Sequence, residues 1–386
     1  MKDLINLINI PLYWISFFIP KNKNIWVFGA WFGQKYSDNT KFFFEYVSKK
    51  DPNITAVWLT SNKQIYKHLK KNGYKVCMRY GIMGYLYTMR AGYAFTTASV
   101  ARDLNHYALS KKTKVIQLWH GIPLKKIRND ENGYYFRKKN TPIKFAFKEL
   151  SRLLLAPFKS EKYHYIVSTA PNTHFETAFD VSSERIIITG YPRNDALFKI
   201  KEERITIKII YMPTFRGANQ SEIDFFSNFG FDIEKMNRFL EKNGMELYLK
   251  LHPVNKPKDD FKKEIEKSKF IHFLDIDDIY EVMYDMDILI TDFSSIYIDF
   301  LLTDRPIVFT PFDKEGYLTK ERELYYEYDE VTPGPKAYNW DEVLECLQEI
   351  VTQDKFCLER EKIKNKFHKY KDANSSQRLY ELLSAI

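Results

Sequence analysis

Short apolar runs alternate with longer helical patterns along most of the chain, and this alternation limits the possible folds more than any other feature. Several runs are apolar at every position, such as those at 186–188 and 288–290, which is typical of parallel strands buried on both faces. Strand–helix alternation favours an α/β fold with doubly wound sheets. We predict strands at 25–29, 55–59, 75–77, 94–97, 114–119, 165–168, 185–189, 207–212, 246–251, 270–273, 288–291 and 306–310.

A charged stretch at 199–204 separates two such blocks of strands and helices. The length of 386 residues suits about two domains. We therefore predict an N-terminal Rossmann-like domain at 1–203 and a C-terminal one at 204–386, facing each other across a cleft. In open parallel sheets ligands gather at the carboxyl ends of the strands, so the segments that directly follow strands are the candidate sites.

The positive charge of the chain indicates an anionic partner but does not identify its class. The formal net charge is +9 and 16% of the residues are aromatic, which fits nucleic acid, an anionic membrane surface or phosphate-bearing substrates. No nucleic-acid-binding motif is present, so we expect no nucleic-acid partner. The three cysteines are widely scattered, which excludes a disulfide framework and favours a reducing compartment.

Most of the excess charge lies at 125–162, which has eleven basic residues against four acidic ones. Apolar residues recur there at helical spacing between Ile143 and Leu155, so we predict a basic amphipathic helix beside a basic loop. Such a helix can hold an anionic membrane surface, or it is a solvated face over a buried apolar stripe.

The N-terminus is a second candidate for membrane contact. Its apolar part, 4–19, is interrupted by Asn6, Asn9, Pro11 and Ser16 and is shorter than the ~20 residues of a transmembrane helix. No small-residue cleavage site follows, so a secretory signal is not expected. The segment is either a first helix packed on the core or an interfacial helix with its aromatic residues towards lipid.

Two histidines stand at predicted strand exits. His120 and Gly121 follow the strand at 114–119, and His252 follows the strand at 246–251. A histidine at such a place can take a proton from a hydroxyl near neutral pH. The alternative for each is a structural histidine held by hydrogen bonds.

Hydroxyl and guanidinium groups follow other predicted strands. The most specific segment is Asp292–Ser295, in which Ser294 or Ser295 would cap a following helix whose N-terminus favours anions. Thr214 and Arg216 follow the strand at 207–212 and could bind an anion. Arg193 follows the strand at 185–189 and could hold a phosphate or pair with a carboxylate.

An acidic, tyrosine-rich stretch precedes Pro333 and Gly334 near the C-terminus. The carboxylates of Glu327 and Glu330 could accept hydrogen bonds from hydroxyl groups of a nucleotide or polyol. No carboxylate cluster has metal-ligand spacing, and Asp292 alone is insufficient. We therefore predict no metal and no cofactor.

Taken in order, these segments resemble the CDP-glycerol glycerophosphotransferases of the teichoic acid and capsule pathways. The pieces that carry the resemblance span roughly residues 25–340. They are the segments 32–39 (FGQKYSDN), 119–121 (WHG), 190–195 (GYPRND), 213–216 (PTFR), 251–253 (LHP), 291–295 (TDFSS) and 333–335 (PGP).

The resemblance implies a GT-B fold, with two facing Rossmann-like domains and the nucleotide held mainly by the C-terminal one. It implies CDP-glycerol or CDP-ribitol as donor, a lipid-linked glycan or polyol phosphate as acceptor, and a peripheral enzyme on the cytoplasmic face of the cell membrane. The chain's length resembles that of the shorter members, including primases that add one unit.

The resemblance also assigns roles by residue. His120 matches the catalytic base, and His252 matches a histidine near the donor phosphates. The donor phosphates and nucleotide would be contacted by Thr214, Arg216, Asp292, Ser294, Ser295, Pro333 and Gly334.

Two other functions stay open at this point. One is a glycosyltransferase on the same fold that uses a nucleotide-sugar. The other is a non-catalytic protein that binds membrane surfaces and carries a degenerate site.

Overall fold

The computed structural model describes residues 2–131, 144, 146, 150, 158, 162–171, 173–201, 203–214, 224–251, 259–320 and 323–386. These residues form two compact units. The first contains 1–120, 127–195 and 372–386, and the second contains 121–126 and 196–371.

The first unit is built on a seven-stranded, all-parallel sheet in the order β3-β2-β1-β4-β5-β6-β7. The central strands are apolar and buried at nearly every position, so helices cover both faces. Because all strands run the same way, their carboxyl ends lie along one edge. The strands are β1 (Asn22–Gly29), β2 (Thr55–Thr60), β3 (Val76–Met78), β4 (Ala91–Thr96), β5 (Lys114–Gln117), β6 (Tyr165–Ser168) and β7 (Ile186–Ile188).

The helices of the first unit connect these strands, and one returns from the far end of the chain. The helix bounds are α1 (Lys2–Phe18), α2 (Asp38–Lys50), α3 (Lys63–Lys71), α4 (Ile82–Arg90), α5 (Val100–Asp103), α6 (Phe175–Phe179) and, from the C-terminus, α14 (Ser375–Ser384).

The second unit has a five-stranded parallel sheet in the order β10-β9-β8-β11-β12. This strand order repeats that of β1 to β5 in the first unit. In each sheet the chain first adds strands on one side of the starting strand and then crosses over to add the fourth strand of the unit on its other side. The elements are β8 (Ile207–Met212), α7 (Ile233–Asn243), β9 (Met245–Leu249), α8 (Asp259–Lys267), β10 (Ile271–Phe273), β11 (Ile288–Thr291), α9 (Ile296–Phe300), β12 (Ile307–Phe309), α10 (Lys314–Lys320), α11 (Tyr328–Val331), α12 (Trp340–Thr352) and α13 (Cys357–Phe367).

All twelve predicted strands occur, with small differences at their ends. The strands β1 and β4 begin three residues earlier than predicted, and β5 ends at Gln117 and not at residue 119. Trp119 cannot continue the strand because its φ is +54°, in the left-handed region. The first helix is present as α1, and its Tyr13 and Ser16 are buried.

The two units depart from the predicted boundary in sequence. Residues 372–386 were expected in the C-terminal domain, but they group with the first unit. The cause is α14, whose first two backbone N–H groups donate to the carboxylate of Asp195 at 2.8 and 2.9 Å. Residues 121–126 group with the second unit, where Leu124 and Lys126 pair with Tyr325 and Glu323 through their backbones.

Of the two predicted membrane segments, the N-terminal one is among the described residues as α1. The basic segment 125–162 lies mostly outside the described residues. Among the residues that are described, none of the helices has the length and apolar character needed to cross a bilayer.

Candidate active site

In each sheet the strand order changes direction at the first strand of the unit, between β1 and β4 and between β8 and β11. Open α/β sheets bind ligands at the loops that follow the strands at such a point. In the first unit these loops follow β1 and β4, with the exit of β5 next to them. In the second unit they follow β8 and β11. Each unit therefore has its own candidate site, built from residues that the sequence singled out and from others that it did not.

His120 lies at the exit of β5, and its orientation is set by a hydrogen bond. Its Nδ1 is 3.1 Å from the backbone oxygen of Thr97, at the exit of β4. Since a carbonyl oxygen only accepts, Nδ1 must carry the hydrogen, and the lone pair of the neutral ring is then on Nε2. The ring stacks on that of Trp119, with centroids 4.1 Å apart.

The charges around His120 pull its pKa in both directions. Burial lowers the pKa of His120 below its ordinary value. The carboxylates of Asp38 and Asp103 and the bond to Thr97 oppose this, whereas Arg193 adds to it. The imidazole is therefore neutral near pH 7, which is the state that a general base requires.

Arg193 pairs with a carboxylate, one of the two roles that its position suggested. Its guanidinium is 2.8 Å from Asp38 Oδ1, and both side chains are buried. The other oxygen of Asp38 accepts from the indole N–H of Trp31 at 3.2 Å, and the Trp31 ring lies 5.3 Å from the His120 ring. Trp31 thus connects the ion pair with the histidine.

Asn39 joins three segments of this site through one buried amide. Its Nδ2 donates to the backbone oxygens of Leu118 and Trp119 at 3.2 and 3.0 Å. Its Oδ1 accepts from the backbone N–H of Arg193 at 3.1 Å. The turn that carries His120 and the turn that carries Arg193 are therefore fixed relative to each other.

The exit of β4 is fixed by Asp103, which is fully buried. One carboxylate oxygen accepts from the Thr96 hydroxyl at 2.6 Å and from the backbone N–H groups of Thr97 and Ala98 at 2.9 and 2.6 Å. Burial raises the pKa of Asp103, and these hydrogen bonds oppose the rise. By holding Thr97, Asp103 acts on His120 through the carbonyl that orients it.

In the second unit, Asp292 ties two strand exits together. Its Oδ1 accepts from the backbone N–H of Thr214 at 2.7 Å and from that of Phe293 at 2.6 Å. The carboxylate is buried and shapes the turn, while Ser294 and Ser295 beyond it are partly exposed. Ser295 occupies the N-cap position of α9 without a side-chain bond, and the Ser294 hydroxyl accepts from Ile296 N–H at 3.4 Å.

The acidic segment lies against this turn through Tyr328, whose hydroxyl donates to the backbone oxygen of Asp292 at 3.2 Å. Glu327 and Glu330 are exposed on either side of it. Burial raises the pKa of Tyr328 well above its ordinary value, so its hydroxyl keeps its hydrogen.

Pro333 and Gly334 are buried beside β12. A Cβ on Gly334 would lie 2.1 Å from the backbone oxygen of Ile307, so only glycine fits. The next residue, Pro335, accepts from Phe309 N–H at 2.9 Å. The segment is therefore held against the sheet.

Two of the predicted site residues, Arg216 and His252, lie outside the described residues. Among the residues that the structure does describe, no three His, Cys, Asp or Glu side chains come together as a metal-binding group.

Comparison with known proteins gives the family. The family model described as CDP-Glycerol:Poly(glycerophosphate) glycerophosphotransferase matches residues 11–385. The chain belongs to this family. The resemblance read from the seven motif pieces is therefore confirmed, and the chain is an enzyme of the glycerophosphotransferase class.

Relatives of different lengths match the chain. A teichoic acid glycerol-phosphate transferase of Staphylococcus aureus is 29% identical over 94% of this chain and 93% of its own length. A teichoic acid glycerol-phosphate primase of Bacillus subtilis is 25% identical over 78% of this chain and 77% of its own. The poly(glycerol phosphate) polymerase of Bacillus subtilis is 25% identical, but the match covers only 46% of that longer protein.

A solved structure of the wall teichoic acid polymerase TagF has the same fold, with a TM-score of 0.74 and 22% identity over 100% of this chain and 96% of that one. The predicted fold class, GT-B with two doubly wound Rossmann-like sheets, is thereby confirmed.

Four residues that matter in the first unit were missed as site residues by the sequence reasoning: Trp31, Asp38, Asn39 and Asp103. Asp38 and Asn39 stood inside a motif piece of the family, which was the available signal. Among the residues that the structure describes, eight non-glycine residues have a positive φ, and four of them, at 31, 32, 38 and 119, lie at this end of the sheet. Such strain tends to collect at functional sites.

Proposed function

We propose that this family member transfers glycerol phosphate or ribitol phosphate from a CDP-alcohol to a hydroxyl group of a lipid-linked acceptor in teichoic acid or capsule synthesis. The acceptor oxygen attacks the β-phosphorus and forms a new P–O bond. The bond from that phosphorus to the oxygen shared with the α-phosphate breaks, and CMP leaves. The hydroxyl proton goes to Nε2 of His120.

The observation that carries this proposal is the state of His120 within a chain of this family. A neutral imidazole with its Nδ1 hydrogen held by Thr97 presents Nε2 as the basic atom at the carboxyl edge of the sheet. A base in that position must lie within hydrogen-bond reach of the attacking hydroxyl. The other groups around it serve to hold it in place.

The second unit is proposed to hold the donor. The hydroxyl groups of Ser294 and Ser295 and the backbone around Thr214 would contact the phosphates, with Asp292 shaping the turn. Arg216 and His252 stay in the proposal as donor-phosphate contacts on the basis of the family resemblance. Glu327 and Glu330 remain candidates for hydroxyl groups of the donor. Catalysis here would be mainly positioning and charge stabilisation.

The first unit is also proposed to contact an anionic membrane surface, as a lipid-linked acceptor would require. On α1, Trp14, Ile15 and Phe18 are 41%, 52% and 79% exposed. On the opposite face, Tyr13 and Ser16 are buried. The neighbouring α4 exposes Ile82, Met83 and Leu86, and the two helices contact each other through Tyr85 and Asn9. Exposed apolar side chains on adjacent helices fit an interfacial position.

Sedimentation with liposomes tests this membrane contact. We expect the triple variant W14S/I15S/F18S to lose most of its binding to vesicles that contain anionic lipid. The matched control is I200S/I205S/L358S in the second unit, where the three residues are 94%, 99% and 81% exposed. Equal binding by both triple variants and the wild type would contradict the proposal.

The donor is tested by nucleotide release with bacterial membranes as the acceptor source. The panel is CDP-glycerol, CDP-ribitol and common sugar nucleotides. We expect turnover of one CDP-alcohol and none of the sugar nucleotides. Turnover of a sugar nucleotide alone would assign the fold to a glycosyltransferase.

A further inference from the structure

The turn after β1 has an unusual backbone. Trp31, Phe32 and Gly33 have φ angles of +43°, +63° and +71°, so three consecutive residues are left-handed. Glycine accepts this conformation freely, whereas in an L-residue the side chain clashes with its own backbone there. A turn that places two aromatic residues there must be stabilised by its surroundings.

Buried charged groups provide that stabilisation. Asp103 Oδ1 accepts from the backbone N–H of Phe32 at 3.2 Å, and the Arg79 guanidinium donates to the backbone oxygen of Phe32 at 3.3 Å. Both charged side chains are buried. Gly33 packs so closely that a Cβ would lie 2.9 Å from the backbone nitrogen of Ser61. The conformation is therefore held from both sides.

The held turn presents aromatic surface instead of hiding it. Phe32 is 49% exposed, although its backbone is fixed by buried groups. The guanidinium of Arg102 lies 5.1 Å from the centre of its ring. Trp31 is partly exposed and contacts the ring of His120. The cation thus lies by the exposed Phe32 ring, and the ring of the preceding residue, Trp31, contacts that of the proposed base.

We propose that the Trp31–Phe32 platform, with Arg102, binds the non-reacting part of a glycan acceptor: a sugar ring over the Phe32 face and the adjacent phosphate on Arg102. The inference rests on the proposed function, since it assumes that the group deprotonated by His120 belongs to the acceptor. One face of a pyranose ring is made of C–H groups that an aromatic ring can cover. Arginine is suited to phosphate beside it.

A flexible polyol phosphate fits this platform less well. It has no flat apolar face, so it would gain from Arg102 but not from Phe32. A membrane surface is another possible contact for an exposed aromatic residue. The position of the platform against the His120 ring favours the acceptor, because that is where the attacking hydroxyl must lie.

The test uses two water-soluble acceptors, a disaccharide diphosphate with a short alkyl group and an oligomer of glycerol phosphate. Phe32→Gly removes the ring without adding strain, and Phe32→Tyr keeps an aromatic face. We expect Phe32→Gly to raise the KM for the disaccharide about tenfold, as loss of an aromatic contact would. The kcat, the KM for the donor and the KM for the oligomer should stay within about twofold, since the contact is the same in ground and transition states. Phe32→Tyr should behave like the wild type.

Calorimetric binding of the soluble disaccharide without donor repeats the comparison independently of turnover. The control is Tyr338→Ala, an aromatic residue of the second unit that is 52% exposed, which should change neither measurement. An unchanged disaccharide KM and affinity in Phe32→Gly would overturn the inference, and so would an equal rise for both acceptors. An effect seen only with vesicle-borne acceptor would assign Phe32 to the membrane and also overturn it. Failure of the wild type to release CMP from any CDP-alcohol would instead overturn the proposed function.

Discussion

At the scale of single residues, His120 is oriented by a backbone carbonyl. The acceptor at Nδ1 is the oxygen of Thr97, and the nearby carboxylate of Asp38 is engaged by Arg193 and Trp31. Asp38 therefore acts on His120 through its field and through Trp31. This arrangement fixes the tautomer without a carboxylate bonded to the ring.

Replacing His120 tests its role as the base. We expect His120→Ala to lower kcat by about 10²–10⁴-fold, the usual contribution of general acid–base catalysis. Binding of CDP-glycerol should change little, because the donor is assigned to the second unit. The measurements are steady-state CMP release and calorimetric donor binding, with the exposed His68→Ala as control. A kcat close to the wild-type value would rule out this base.

The pH dependence follows from the same surroundings. Because the base must be unprotonated, kcat/KM should fall as the pH drops through the pKa of His120, which burial places below its ordinary value. Asp38 raises the pKa of His120, so Asp38→Asn should move this acidic limb to lower pH.

The pH–rate profile of Asp38→Asn is compared with that of Asp260→Asn, a carboxylate 96% exposed in the second unit. A shift of the limb to higher pH, or the same shift in both variants, would contradict the assignment.

At the scale of elements, the C-terminal helix α14 is anchored by the segment that follows β7. Asp195 accepts from its first backbone N–H groups, and Arg378 donates to the backbone oxygen of Thr189 at 2.9 Å. Gly190, which follows Thr189, has a φ of +84°, and a Cβ on it would lie 2.4 Å from the Ser375 hydroxyl. The glycine is required by both its conformation and its contact.

A pair of glycine substitutions separates these two requirements. Gly190→Ala should lower the free energy of unfolding by about 1–2 kcal/mol for backbone strain and by about 1–3 kcal/mol more for overpacking. Gly73→Ala, with a φ of +78° and no atom within 4 Å of the new Cβ, should show only the first cost. Adding Ser375→Gly to Gly190→Ala should recover the difference. Equal urea midpoints for the two single alanine variants would contradict this account of the anchor.

The strands could be predicted from the sequence, whereas the links between distant segments could not. Runs such as 186–188 and 288–290 are apolar because parallel strands are buried on both faces, so local composition was sufficient. The pairing of Asp38 with Arg193 joins residues 155 positions apart, and nothing local reveals it. The left-handed backbone of Trp31 and Phe32 is likewise absent from any propensity, since tertiary contacts impose it.

At the scale of the whole molecule, the ordered motif pieces were more informative than any single one. A histidine such as His120 or an arginine such as Arg193 is common in loops. The order of the seven motif pieces along the chain indicated the family, which the match over 11–385 confirms. The return of α14 to the first unit was missed, because residues 372–386 carry no signal for the unit on which they pack.

The fate of the β-phosphate distinguishes transfer of a polyol phosphate from transfer of the polyol alone. CDP-glycerol labelled with ³²P at the β-phosphate and ¹⁴C in the glycerol is incubated with the protein and membrane acceptor. We expect CMP to be the released nucleotide and both labels to enter the acceptor in equal amounts. Release of labelled CDP with ¹⁴C alone in the acceptor would show that the polyol is transferred without its phosphate, and it would contradict the assignment.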